Sequence, residues 1–115
     1  MRKFFFAFAL VIWLCTALAA QANPTRIALT PNSTVPSADI VRNLGSDCPD
    51  VSLTTDATKA DFTLEAMQEL NANGHPIRFK FTLFNKDGDA IYSTATHRVA
   101  NAVKDVCRAI QGQKK

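Results

Sequence analysis

The sequence lacks the motifs by which common catalytic sites are identified. It contains no G-x-S-x-G, no H-E-x-x-H and no glycine-rich phosphate-binding loop. It has only two histidines, four glycines and three cysteines in 115 residues. The net charge is +3, and it falls to about +1 without the first 22 residues, so charge gives no case for nucleic-acid binding. The sequence therefore predicts a protein that is not an enzyme and that needs no cofactor.

One apolar run stands out, and it lies at the N-terminus. Two basic residues precede Phe4 to Leu14, a run far shorter than the roughly 20 residues that span a bilayer. Small residues follow, and the A-x-A pattern that ends at Ala22 is typical of a signal-peptidase site. Lipidation at Cys15 is the alternative, but a bulky residue precedes that cysteine. We predict a cleaved signal peptide, residues 1–22, and a periplasmic or secreted protein.

Residues 23–115 then form a single small α/β domain. No second apolar run reaches membrane length, so we predict no transmembrane segment after cleavage. Removal of the two basic residues of the signal peptide leaves a net charge of about +1. The basic character of the whole chain therefore owes much to its first residues.

Cys48 and Cys107 are the two cysteines of this domain. Disulfides persist in exported proteins, and a bond here would close a loop of about 60 residues. On the chain-entropy model such a bond stabilises the fold by about 4 kcal/mol. Two alternatives are a pair of free buried thiols and a zinc site completed by His75 and His97. The zinc site lacks the paired spacing by which such sites are recognised, so we predict the disulfide.

Apolar periodicity divides the domain into strands and helices. Period-two alternation predicts four strands, at 26–30, 51–55, 61–70 and 76–84. A fifth strand is predicted after the last of these. Spacings of three and four predict helices over 38–44 and from about 97 to 111. The order β-α-β-β-β-β-α predicts an α+β two-layer sandwich, a mixed five-stranded sheet with both helices on one face. The first β-α-β unit predicts two parallel strands.

The segment FNKDGDAIYS, residues 84–93, has the composition of a calcium-binding loop without its ligand pattern. With Gly88 at the sixth position of an EF-hand loop, Leu83 and Thr94 occupy the first and last ligand positions, where Asp and Glu are required. A three-residue hairpin loop with a left-handed Gly88 accounts for the segment better. We therefore predict no metal site but a hairpin turn, formed by Asn85, Lys86, Asp87 and Gly88.

The sheet face opposite the helices is the best place for a binding surface. The turn predicts that Leu83 pairs with Ile91 and Phe81 with Ser93, which directs Tyr92 to that face. Tyrosine and arginine are favoured at binding hot spots. The predicted binding face includes Glu65, Arg78, Lys80 and Tyr92.

Three segments resemble the N-terminal domain of the periplasmic TolB proteins: KADFTLEA, IRFKFTLFNKDGDAIYST and HRVANAVKDVCRAIQG. In both, an Ala-Asp pair leads into a strand, a strand and turn similar to LFD follow, and a final helix with a pattern similar to AxKxxDAI ends in glycine. Shorter blocks resemble small exported proteins of acidobacterial type: CPDVSLTTD, KADF, NKDGDAIYS and AVKDVC. The second resemblance implies export and the cysteine pair, and it implies no activity.

Three hypotheses for function follow, each from a different class. The favoured one is an envelope interaction module that binds another envelope protein without turnover. The first alternative is a binder of a small ligand or anion that uses Arg78, Lys80 and Tyr92. The second alternative is an unrecognised hydrolase that depends on His75 or His97.

Overall fold

A mixed five-stranded sheet carries two helices on one face. The computed structural model describes residues 24–113, and the predicted signal peptide lies outside this range. The strands are β1 (Thr25–Leu29), β2 (Val51–Leu53), β3 (Phe62–Leu70), β4 (Pro76–Phe84) and β5 (Ala90–Thr96). The helices are α1 (Ser37–Asp47) and α2 (Val99–Gln113). The predicted α+β class and element order are confirmed.

The strand order in the sheet is β2-β1-β3-β4-β5. β1 is parallel to both of its neighbours, whereas β3, β4 and β5 are antiparallel to one another. The parallel pairing of β1 with β2 is the one that the β-α-β pattern predicts. No helix in residues 24–113 has the length and apolar content needed to cross a bilayer.

The connection from β2 to β3 is hydrogen-bonded to β1. It contains a 3-10 turn, Ala57–Lys59, and it is bonded to β1 through Asp61. The Asp61 N–H donates to the Arg26 carbonyl at 2.8 Å, and the Arg26 N–H donates to Asp61 Oδ2 at 3.0 Å. Alternation places Ala28 on the face away from the helices, and both Ala28 and Ala60 are buried. Arg26 of β1 and its partner Ser52 of β2 are exposed on that face, and β3, β4 and β5 expose the rest of it.

The segment after β1 completes the hydrogen bonding of β3. The N–H groups of Thr34 and Val35 donate to the Ala66 carbonyl at 2.9 and 3.1 Å. Ser33 Oγ accepts from the Ala66 N–H at 3.0 Å, and Thr34 Oγ1 accepts from the Gln68 N–H at 2.9 Å. The even-numbered residues of β3 therefore direct their backbone groups toward β1, and alternation directs the odd-numbered ones toward β4.

The core lies between the sheet and the helices. Its largest fully buried side chain is Phe81, at the centre of β4. The helices supply apolar residues at spacings of three and four, which explains why both lie flat on the sheet. Fully or almost fully buried core residues include Ile27, Ile40, Leu44, Leu64, Leu83, Val103, Val106 and Ile110.

A disulfide joins the two helices. Cys48 directly follows α1 and Cys107 lies in α2, with their Cα atoms 5.9 Å apart and a sequence separation of 59. Both cysteines are buried. The predicted disulfide is confirmed, and it takes up the sulfur atoms that free thiols or a zinc site would require.

Helix α1 differs from the prediction at both ends. It begins one residue earlier, at Ser37, and Pro36 precedes it with a φ of −58° and without a side-chain cap. The helix also continues through Gly45 to Asp47. Glycine in a helix costs about 1 kcal/mol relative to alanine. Burial of Leu44 and the disulfide at Cys48 favour the helical path through it.

Asp56 caps the 3-10 turn, and its carboxylate accepts two hydrogen bonds from Thr58. Its Oδ1 lies 2.6 Å from Thr58 Oγ1 and 3.0 Å from the Thr58 N–H. The hydroxyl contact and then the backbone contact lower the pKa of Asp56, because both favour the charged form. The resulting stabilisation is present above the ordinary pKa of aspartate and is lost as pH falls through the lowered pKa.

We expect Thr58→Val to raise the pKa of Asp56 toward its ordinary value, because the hydroxyl donor is lost while the N–H remains. The measurement is a pH titration of the side-chain carboxyl carbon by NMR. Thr55→Val serves as control, since the exposed Thr55 makes no hydrogen bond to this carboxylate. An Asp56 that titrates identically in the wild type and in Thr58→Val would contradict the expected effect.

Candidate functional site

The turn between β4 and β5 has the form that the sequence predicts. Gly88 has a φ of +87°, a conformation that favours glycine, and its N–H donates to the Asn85 carbonyl at 3.0 Å. The Asn85 N–H donates to the Asp89 carbonyl at 2.9 Å. Asn85 Oδ1 accepts from the N–H groups of Asp87 and Asp89 at 3.0 and 2.9 Å. The segment is thus a hairpin turn, held mainly by Asn85.

The strand pairing beyond the turn differs from the prediction by one residue. Phe84 pairs with Ala90, as the turn requires, but Leu83 then pairs with Tyr92 and not with Ile91. Ile91 is an extra residue, and the irregularity that it introduces is a β-bulge. The predicted pairs of Leu83 with Ile91 and of Phe81 with Ser93 are therefore wrong.

Tyr92 lies on the face that the helices cover, so its predicted place beside Arg78 and Lys80 is wrong. It pairs with the buried Leu83 and packs against the core. Thr94, the next residue on that face, donates from Oγ1 to Asp105 Oδ2 of α2 at 2.7 Å. A register shift of one residue moves every later side chain of a strand to the other face.

The open face is the side of β3, β4 and β5 that no helix covers. The strand register places on it Thr63, Glu65, Met67, Glu69, Arg78, Lys80, Thr82, Phe84, Ser93 and Ala95. None of these residues is buried. Glu65 Oε2 accepts from Asn32 Nδ2 at 3.0 Å, and Thr82 Oγ1 lies 3.4 Å from Ser93 Oγ. The predicted residues Glu65, Arg78 and Lys80 do lie together on this face.

Arg78 and Lys80 are exposed cations two residues apart on β4, so their Cα atoms lie about 7 Å from each other. Lys80 is flanked by Met67 and Ala95, neither of which is charged. Glu69 is the cross-strand neighbour of Arg78, yet the two do not form an ion pair. Within residues 24–113 the one ion pair joins Arg42 to Asp39. Both cations of the open face therefore point to solvent without an internal counter-ion.

The end of the β3–β4 hairpin extends past both neighbouring strands. β5 pairs with β4 only from Phe79 onward, and the segment after β1 bonds β3 only as far as Gln68. Residues 69–78, which we call the arm, have only each other as strand partners. Leu70 and Ile77 on the arm are 53% and 48% exposed.

Ile77 is a residue whose role sequence reasoning missed. Its place in the strongest alternating strand indicates a core residue, but Ile77 is half exposed. β5 does not extend to it, and the β3–β4 register shifts there, so it has no partner on β3 either. Exposed Leu70 is the second apolar residue of the arm. This exposure depends on where the neighbouring strands end. Period-two alternation within a strand does not predict the lengths of its neighbours.

The histidines are placed without an evident catalytic partner. His75 lies in the loop of the arm, where its N–H donates to Asn71 Oδ1 at 3.0 Å. His97 Nδ1 lies 3.2 Å from the Ile77 carbonyl oxygen, a backbone contact. No group of three or more His, Cys, Asp and Glu side chains in the described part of the chain is arranged to hold a metal ion.

No model of a known protein family matches the chain, and no curated protein matches it either. Among solved structures, TolB from Acinetobacter baumannii is similar, with a TM-score of 0.47 and 11% identity. The match covers 80% of this chain and 28% of the TolB chain. The uncharacterized lipoprotein B from Nitrosomonas europaea matches with a TM-score of 0.36 and 13% identity, over 78% of this chain and 81% of that one.

These similarities concern the fold alone and assign no function. The likeness to TolB is weak. The chain spans under a third of that TolB chain. The resemblance to acidobacterial proteins finds no support in the comparisons.

Proposed function

We propose that the protein is an exported, non-catalytic module that binds an acidic surface of another envelope protein through Arg78 and Lys80. One observation carries the proposal. The two cations lie side by side on the open face, exposed, without an ion-pair partner among residues 24–113. Because charged groups that face solvent steer complementary partners, such a pair favours an acidic partner.

The surroundings of the two cations suit a protein partner. Met67 lies beside Lys80, and methionine and arginine are enriched at interfaces. Ser93 and Ala95 of β5 are small, so the surface next to Lys80 is flat and accessible. Half-buried Phe84 offers further apolar area on the same face.

Export is supported by the disulfide and by the N-terminal pattern. A buried disulfide between Cys48 and Cys107 suits a protein that resides in an oxidising compartment such as the periplasm. The basic and apolar N-terminus is typical of a signal peptide. We therefore place the partner in the envelope.

The two alternative functions have less support. A ligand or anion site built from Arg78, Lys80 and Tyr92 requires three residues on one face, and Tyr92 lies on the opposite face. A hydrolase built on His97 requires its ring beside a reacting group, whereas the ring contacts the Ile77 backbone. Binding without turnover is the simpler reading of this geometry.

The test is a charge reversal on the open face, Arg78→Glu with Lys80→Glu. Like-charge contacts across an interface cost several kcal/mol, so we expect recovery of the partner to fall at least about tenfold. The measurement is quantitative mass spectrometry of proteins that co-purify with the tagged protein, expressed at its native level.

The matched control reverses two exposed cations on α2, Lys104→Glu with Arg108→Glu. It makes the same change in net charge on the other side of the sheet, and we expect it to leave partner recovery unchanged. Both variants must show the thermal unfolding temperature of the wild type. Equal recovery in all three proteins, or equal loss in both variants, would rule out the open face as the docking surface.

A further inference from the structure

We infer that a second copy of the chain pairs with the outer edge of β5, antiparallel to it, about a twofold axis through Ser93. Among residues 24–113, β5 has β4 as its sole strand neighbour, so its outer edge is unpaired. This inference stands apart from the proposed function, because it uses the edge of the sheet and not the cations of the open face.

β5 has only one of the features by which edge strands avoid pairing, a bulge at its beginning. Its seven residues, AIYSTAT, contain no charge and no proline. Natural edge strands are commonly protected by short length, charged residues, proline or bulges. The opposite edge strand, β2, has only three residues. The β2 edge is therefore protected by its short length. The β5 edge has only the bulge at Ile91, at the beginning of the strand.

The backbone of β5 presents its free hydrogen-bonding groups at Ser93 and Ala95. Even-numbered residues of β3 bond toward β1, so odd-numbered residues bond toward β4. In the β3–β4 register the odd-numbered residues of β3 pair with even-numbered residues of β4, so the odd-numbered residues of β4 bond toward β5. In the β4–β5 register these pair with even-numbered residues of β5. There, Tyr92, Thr94 and Thr96 bond toward β4, and Ser93 and Ala95 bond outward. Two copies related by the twofold axis through Ser93 would satisfy these outward groups reciprocally.

The register about Ser93 pairs the part of the strand that follows the bulge. The bulge of each copy then lies near the end of the other copy's strand, beside Ala95 and Thr96. Tyr92 lies opposite Thr94 of the second copy on the face of the helices. An aromatic residue beside a β-branched one is a favourable cross-strand pair. No like charges meet anywhere along the seven residues.

The charges that flank β5 complement each other in the same register. Asp89 precedes the strand, and His97 and Arg98 follow it. Pairing about Ser93 brings Asp89 of each copy to the same end of the interface as His97 and Arg98 of the other copy. The twofold axis is perpendicular to the sheet, so the two open faces would form one continuous surface.

The first test uses Ser93→Cys, with Ala95→Cys as its matched control on the same strand and face. Residues opposite each other across an antiparallel pair have Cα atoms about 5.5 Å apart, which suits a disulfide. Position 95 and its own copy lie four residues apart along the strand, roughly 13 Å, which is too far. After mild oxidation of the purified proteins we expect covalent dimers of Ser93→Cys only. Equal cross-linking of the two variants, or none of Ser93→Cys, would overturn the inference.

The second test is sedimentation equilibrium of the wild type and of Ser93→Lys over a concentration series. Two lysines meeting at the axis repel each other, so we expect the dimer dissociation constant to rise at least about tenfold. Ser52→Lys, an exposed serine on the other edge strand, is the control that should leave it unchanged. A wild type that remains monomeric up to about 100 μM, or a Ser93→Lys dimer as tight as the wild type, would contradict pairing through β5.

Discussion

Replacing Cys48 and Cys107 with alanine should lower the free energy of unfolding by about 4 kcal/mol. The bond closes a loop whose ends lie 59 residues apart, and it restricts the unfolded chain accordingly. It also joins α1 to α2, the two elements that cover the core. Because a small domain has a total stability of about 5–15 kcal/mol, this loss is a large part of the whole.

The measurement is chemical denaturation of the wild type, the double variant and the reduced wild type. The reduced wild type should unfold at nearly the same denaturant concentration as the double variant, since both lack the bond. Ser46→Ala, an exposed change near the end of α1, is the control and should unfold like the wild type. A loss below about 1 kcal/mol would mean that the unfolded chain gains little freedom on reduction.

Phe81→Ala should destabilise the protein by about 3–5 kcal/mol. Phe81 is fully buried at the centre of β4, between Ala66 of β3 and Thr94 of β5. Its ring belongs to the core cluster that includes Val103 and Val106 of α2. Truncation loses the transfer free energy of the ring and leaves a cavity that the two adjacent strands cannot close.

Lys80→Ala is the matched control, since Lys80 is the adjacent residue on β4 but points to the open face. We expect its free energy of unfolding to stay within about 0.5 kcal/mol of the wild type. The measurement is the free energy of unfolding of the three proteins, taken from their denaturation curves. Similar losses for the two variants would show that Phe81 does not anchor the core.

Most of the fold is predictable because its elements obey single patterns. Strict alternation marks β3 and β4, and spacings of three and four mark α2, so local periodicity identifies these elements. The hairpin turn is predictable because Gly88 and Asn85 have conformational and hydrogen-bonding roles that few residue types fill. The disulfide is predictable because the predicted domain has two cysteines and the N-terminal pattern leads us to expect export.

The residues of the predicted binding face are only partly correct, because the pairing of β5 with β4 contains a bulge. Arg78 and Lys80 belong to β4, whose faces are set by its own alternation, and their placement is correct. Tyr92 follows the bulge at Ile91, which depends on how β5 fits against β4 and α2. A bulge of this kind has no local sequence signal as clear as that of the turn. The exposure of Ile77 is likewise set by where the neighbouring strands end.

The most direct test of docking through the open face is photo-cross-linking in intact cells, with a photoreactive residue in place of Lys80. The same residue in place of Lys104, on the exposed side of α2, provides the comparison. We expect one reproducible envelope protein, other than the chain itself, to be cross-linked from position 80 and not from position 104. Cross-linking of that protein from position 104 alone, or of no protein from position 80, would contradict binding through this face.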